Sequence, residues 1–238
     1  MRKSVMVFAM VLLSLTTLQA KHEVYVIHGF CSARIVMHKI NRYLQKAHYT
    51  TKNYGYKSID IDLDSLGKQL YFSIKKSGYD SISFVTHSMG ALVVRSMLKY
   101  SEKDSCFPHI YRIVMLAPPN KGAEIADVIS SKKFFKRFFD PNISKMKTDS
   151  NSYTNKLPIP KHSEIGLIVG IRGNKKGYSQ YIKNDNDGAL TPTKAYLGIE
   201  KDAIIIKKEH TLMTQSLYVC RLIAEFLLQG KFISRIEK

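Results

Sequence analysis

Apolar residues recur along this chain in two alternating rhythms. Glu23–Ile27 is a β-branched run ending in His28-Gly29, which predicts a buried strand. Met37, Ile40, Leu44 and Ala47 then fall three and four apart, the period of a helix. Ser58–Asp62 reads as a second strand, and Leu63, Leu66, Leu70 and Ile74 mark a second helix. Ser81–Val85 is a short apolar strand, and a third helix begins with Ala91, Val94 and Leu98. Ile110–Leu116, Ile165–Ile171 and Ala203–Ile206 read as further strands. Leu212, Val219, Ile223, Phe226 and Leu227 line a terminal helix. Near-continuous apolar strands separated by helices predict an α/β fold, a mostly parallel sheet covered on both faces.

The rhythm breaks twice. Between Gly122 and Glu164 the chain turns polar and basic and carries Pro141, Pro158 and Pro160. It reads as an insertion over the sheet edge, spanning about 122–164, rather than a separate domain. At the start, Met1-Arg2-Lys3 precedes the apolar run Val5–Leu15, with Thr16, Thr17 and Ala20 after it. A basic start, a short apolar core and a small residue at the end form the pattern of a secretory signal peptide. The core is shorter than the roughly 20 residues that span a bilayer. Residues 1–20 are therefore expected to be removed, leaving 21–238 as one exported domain, periplasmic or secreted.

Composition narrows the class. At 45% hydrophobic and 11% aromatic, the chain has enough apolar material for a packed core, which excludes a disordered chain. Its formal net charge is +18, or +16 once Arg2 and Lys3 leave with the leader. That balance favours anionic partners without specifying a fold. Cys31, Cys106 and Cys220 are odd in number and suit no metal spacing. They are expected as buried small hydrophobes, with one disulfide left open.

The chemistry concentrates in Thr86-His87-Ser88-Met89-Gly90. A strand, a sharp turn and a helix follow one another there, with serine at the apex. Such a turn lifts a hydroxyl out of the sheet, and small residues two places either side let strand and helix backbones approach. Thr86 stands where the usual pattern has glycine. The plainer alternative is a serine that caps an ordinary helix. A serine nucleophile needs a base, and the base needs a carboxylate to fix its tautomer. Downstream, Asn184-Asp185-Asn186-Asp187-Gly188 follows one strand and His210 follows another, both where open α/β sheets place ligands. Gly29 allows the chain after the first strand to present the Phe30 amide, and the Met89 amide opens the elbow helix. Together they are candidate donors to an oxyanion.

These pieces together resemble the α/β-hydrolase superfamily, in particular its bacterial lipase-like and esterase-like serine hydrolases. The resemblance is carried by Val26-Ile27-His28-Gly29-Phe30, the Ser88 elbow, Leu116-Ala117-Pro118-Pro119-Asn120-Lys121-Gly122, Asn186-Asp187-Gly188 and Glu209-His210-Thr211-Leu212-Met213. They occur in the family's order across most of the chain. The resemblance implies an α/β-hydrolase fold with a small cap. It implies Ser88 as nucleophile, Asp187 as acid, His210 as base, and the Phe30 and Met89 amides as the oxyanion hole. No metal or organic cofactor is implied. Asp185 is the alternative acid, with Asp187 preferred because it precedes Gly188. His87 is expected to point away from the pocket, and His28 to shape the turn with Gly29. His22, His38, His48, His109 and His162 carry no supporting pattern. Cys31 lacks an elbow and is assigned to packing.

Ser131–Asp140 is basic and aromatic. As a helix it would place Phe134, Phe135, Phe138 and Phe139 on one face and four basic residues on the other. That pattern suits either an anionic membrane surface or a lid packed on the enzyme. The expected partner is an ester or lipid small molecule. A thioesterase or acyltransferase would use the same three residues. The other class is a non-catalytic basic protein holding anionic lipid or polymer on this scaffold. Nucleic acid is disfavoured, because the lysines are spread without a recognition motif.

Overall fold

The computed structural model describes residues 21–132 and 142–234. Its centre is a six-stranded sheet in which every neighbouring pair is parallel. The strands are β1 (His22–Ile27), β2 (Thr51–Tyr54), β3 (Ser81–His87), β4 (His109–Leu116), β5 (Glu164–Ile171) and β6 (Asp202–Lys207). They lie in the order β2-β1-β3-β4-β5-β6. The main helices are α1 (His38–Lys46), α2 (Leu63–Lys75), α3 (Met89–Ser101), α4 (Glu124–Ser131) and α5 (Leu217–Gln229). Helix α2 packs with α3, and α1 with α5. Right-handed crossovers place these two pairs on opposite faces of the sheet. The predicted parallel α/β architecture is what forms.

The central strands are buried on both faces, so they read as unbroken apolar runs. Val24–Ile27 and Ile113–Leu116 are fully buried. Helix α3 is apolar nearly all round for the same reason, with Ala91, Leu92, Val93, Val94 and Met97 all buried. Burial of each such aliphatic side chain contributes about 1.5–3 kcal/mol.

One predicted strand is misplaced. Ser58–Asp62 does not pair; it turns, and Asp62 caps α2 by accepting from the amides of Asp64 at 3.0 Å and Ser65 at 3.4 Å. The strand is Thr51–Tyr54 instead, a polar, half-buried edge beside β1. Edge strands bury one face only, so the apolar signal there is weak.

Among the described residues, the β4–β5 connection is bonded to α3 and to the turn before α2. Arg95, buried in α3, donates to the carbonyls of Thr154, Leu157 and Pro158 at 3.0, 2.8 and 3.0 Å, and to that of Asn120 at 3.1 Å. Asn142 donates to the carbonyls of Ser58 and Ile61. The connection is thus tied to the domain through polar bonds at both of its described ends. Among the described residues, no helix is long and apolar enough to cross a membrane.

Sheet order reverses between β1 and β3, because the chain leaves β1 for β2 and returns to pair on the other side of β1. Ligands bind at the carboxyl ends of strands at such a switch point. Gly29 follows β1 and Ser88 follows β3.

Candidate active site

Ser88 occupies a backbone conformation of φ 52° and ψ −128°. A non-glycine residue there is strained by about 1–3 kcal/mol and persists only where its surroundings hold it. The Ser88 amide donates to the Leu116 carbonyl at 2.9 Å, and its carbonyl accepts from the Ala91 amide at 3.1 Å. The hydroxyl makes no capping bond to α3. Serine as an ordinary helix cap is therefore not what the turn contains. The neighbours His87, Met89 and Gly90 are buried, while Ser88 is only half-buried.

The turn closes because side chains are missing around it. A Cβ on Gly90 would lie 2.7 Å from the His28 carbonyl oxygen and 2.8 Å from that of Ile27. A Cβ on Gly29 would lie 2.9 Å from the Ser88 Cβ. Both distances are shorter than packed atoms allow. The segment carrying Phe30 is thereby brought against the elbow. Thr86, the departure from glycine, is buried and directs its hydroxyl to the Val114 carbonyl at 3.5 Å. It fits because it faces β4 and not α3.

Asp187 and His210 meet across two loops. His210 Nδ1 lies 2.8 Å from Asp187 Oδ2, and the His210 amide donates to the Asp187 carbonyl at 2.8 Å. Asp187 is fully buried, and its other oxygen accepts from the Ala189 and Leu190 amides, each at 2.9 Å. Burial pushes the His210 imidazole down, but the Asp187 charge and hydrogen bond, with the Glu209 charge, outweigh it, so its pKa is raised. A carboxylate acceptor fixes the proton on Nδ1 and leaves Nε2 as the basic atom. The His210 side chain is 13% exposed.

Asp185, the alternative acid, is elsewhere. Its oxygens accept from the Arg172 and Gly173 amides at 2.9 and 2.8 Å and close the turn after β5. Asn186, buried between the two aspartates, accepts from the Ser179 and Gly188 amides and donates to the Ser179 and Asn184 carbonyls. It sets the shape of the loop that carries Asp187.

His28 shapes the turn after β1. Its Nδ1 donates to the Gly29 carbonyl at 2.9 Å, and its ring stacks on Tyr56 with centroids 4.1 Å apart. The Tyr56 hydroxyl donates to the His28 carbonyl at 2.5 Å.

His87 makes a contact that the sequence does not announce. It is buried with its ring centroid 4.7 Å from that of His210, and its Nε2 donates to the His210 carbonyl at 3.0 Å. Burial and the nearby His210 push its pKa down to about 3, so it stays neutral. No local pattern signals this contact, which joins residues 123 apart.

Phe134, Phe135, Phe138 and Phe139 lie outside the described residues. All three cysteines are free, Cys31 and Cys106 exposed and only Cys220 buried. The expectation of three buried cysteines thus holds for one.

Several solved structures share this arrangement of elements. The mature form of a Bacillus licheniformis lipase matches with a TM-score of 0.65 at 18% identity, covering 88% of this chain and 92% of its own. Lipase B of Aspergillus fumigatus matches at 0.59 and 11% identity, over 88% of this chain and 53% of its own. An extracellular α/β-hydrolase from a Paenibacillus species matches at 0.54 and 15% identity, over 87% and 98%. The fold is that of the α/β-hydrolases. No protein-family model and no curated protein sequence matches the chain. Within the α/β-hydrolase fold, the strained elbow after β3 and the Asp187–His210 pair stand together at the carboxyl edge of the sheet.

Proposed function

We propose that this protein is a serine hydrolase of carboxylic esters, of the esterase or lipase type. The observation that carries the proposal is the Asp187–His210 hydrogen bond at 2.8 Å, in a loop that His87, the neighbour of Ser88 in the strained turn, contacts through the His210 carbonyl at 3.0 Å. Likeness to two lipases and an extracellular α/β-hydrolase supports the same reading. Nucleophilic acyl transfer requires a serine activated by a base whose tautomer is fixed, and the Asp187 carboxylate fixes that of His210.

His210 Nε2 takes the Ser88 proton as Oγ bonds to the carbonyl carbon. The charge gathers on the carbonyl oxygen, where the Phe30 and Met89 amides are the donors. Collapse breaks the carbon–alkoxy bond, and the alcohol leaves with the proton held by His210. Water then attacks the acyl-serine and gives its proton to His210, the acid is released, and Ser88 is restored. Asp187 stays ionised throughout and stabilises the imidazolium. The basic start and apolar run of residues 1–20 support export of the enzyme.

The test is labelling by a fluorophosphonate together with hydrolysis of p-nitrophenyl esters of graded chain length. Wild type labels and turns over, and Ser88→Ala does neither. Turnover that survives Ser88→Ala would overturn the proposal.

A further inference from the structure

A second surface opens beside the elbow. The short turn Arg34–Met37 follows the Phe30 segment, and the turn Leu212–Gln215 follows His210. Gln215 Nε2 donates to the Val36 carbonyl at 2.7 Å and joins the two turns. Three large aliphatic side chains stand out into solvent here: Ile35 at 68% exposed, Leu212 at 61% and Leu217 at 63%. Two of them, Ile35 and Leu217, line a groove between α1 and the start of α5 together with Lys39, Arg42, Tyr43 and Lys46. A second groove, sharing Tyr43 and Leu217, adds Arg221. Neither is lined by a carboxylate. Residues 24–59 contain six Lys or Arg and no Asp or Glu. None of the ion pairs among the described residues uses Lys39, Arg42, Lys46 or Arg221.

We propose that this face, with Ile35, Leu212 and Leu217 at its tip and Lys39, Arg42, Lys46 and Arg221 along its flank, docks the enzyme on an anionic lipid surface. The occupant follows from charge and shape. Exposed aliphatic side chains that share a groove with cations match a bilayer face, with acyl chains inside and phosphates at the rim. Each cation near an anionic surface contributes about 1 kcal/mol, and the net positive charge, +16 without Arg2 and Lys3, adds long-range attraction. The aliphatic tips lie next to the segments that carry Phe30 and His210. Docking therefore brings the elbow to the interface, where lipid esters are presented. This deepens the ester-hydrolase proposal and rests on it for its purpose, though not for its binding.

The experiment is sedimentation with vesicles of phosphatidylcholine alone and of phosphatidylcholine mixed with phosphatidylglycerol. Hydrolysis of a soluble short-chain ester is read in parallel. Wild type partitions onto the anionic vesicles and is released by salt. Lys39→Gln/Arg42→Gln/Lys46→Gln lowers the partition coefficient about 100-fold. Ile35→Ser/Leu217→Ser lowers it by about 100-fold as well. Both variants keep wild-type turnover of the soluble ester, which shows that they are folded. Equal partition of wild type and variants overturns the docking surface. So does equal binding to both vesicle types, or capture by polyglutamate without capture by vesicles. Binding that follows this pattern in a protein inactive on every ester upholds the surface and overturns the hydrolase.

Discussion

His87 hangs its ring on the main chain of His210: the Nε2–H of one donates to the carbonyl of the other at 3.0 Å, with ring centroids 4.7 Å apart. The residue before the proposed nucleophile thereby braces the residue proposed as its base. A carbonyl only accepts, so the His87 proton is on Nε2. Removing the bond while keeping the ring should loosen the loop that presents His210. His87→Phe is expected to lower kcat about tenfold with KM little changed, and to cost about 1 kcal/mol in thermal unfolding. His87→Gln, which retains an N–H donor, should recover part of both. A kcat equal to wild type in His87→Phe would show that the contact only packs.

The pH profile tests His210 and Asp187 together. The base acts when neutral, so activity is gained as pH rises through the His210 pKa. Burial lowers that pKa, and the Asp187 charge and hydrogen bond raise it by more, so the acid limb of kcat/KM should lie above the ordinary imidazole value of about 6.5. In Asp187→Asn burial acts without its opponent, and the limb should move to lower pH. Turnover should fall by about 10⁴, the scale of losing the correct tautomer. Asp185→Asn is the control. Its carboxylate holds two amides of the turn after β5, so it should cost about 1–3 kcal/mol of stability and leave the limb in place. A limb that shifts with Asp185 instead would reverse the assignment of the acid.

Those contrasts show what the chain reveals in one dimension. The turn at Ser88 and the loops that carry Asp187 and His210 are legible because each follows an apolar strand. Gly29 and Gly90 are demanded by distances below 3 Å. His87 is not legible. Alternation along β3 ends at a residue of positive φ, and a strand buried on both faces gives no inside or outside to read. Thr51–Tyr54 escapes for the opposite reason, since an edge strand hides too little to show a pattern. Ser58–Asp62 misleads because two isoleucines near a turn look like a strand, while the capping carboxylate of Asp62 decides the local structure.

Close approach at the elbow predicts a steep difference between glycines. Gly90→Ala would press its methyl within 2.8 Å of two backbone carbonyl oxygens, and neither can move without shifting β1. It should destabilise by several kcal/mol, or abolish soluble expression. Gly78, unlike Gly90, sits at positive φ, and a Cβ there meets nothing within 4 Å, so Gly78→Ala incurs only the backbone cost of about 1 kcal/mol. Chemical denaturation of the two variants side by side measures the contrast, and similar losses would show that the elbow has room to relax.

Arg95 offers the last test, because a buried cation is held here without a carboxylate. Its guanidinium is satisfied by the carbonyls of Asn120, Thr154, Leu157 and Pro158 and by the Asn120 amide oxygen at 3.3 Å. Burial alone pushes its pKa down to about 10, still far above neutrality, so the charge stays and the carbonyl dipoles hold it. The same bonds fasten the β4–β5 connection to α3. Arg95→Met fills much of the volume but leaves those carbonyls without a donor, at a cost of about 1–3 kcal/mol each before water enters. The loss should fall on the connection first. Hydrogen exchange should rise at residues 152–158 while the amides of β3 and β4 stay protected, and proteases should cut near Leu157. Arg95→Lys, a point charge with three donors in place of a planar fork, should restore only part of the protection. Uniform deprotection of the whole sheet would instead place Arg95 in the global core, and make the connection inseparable from the rest of the domain.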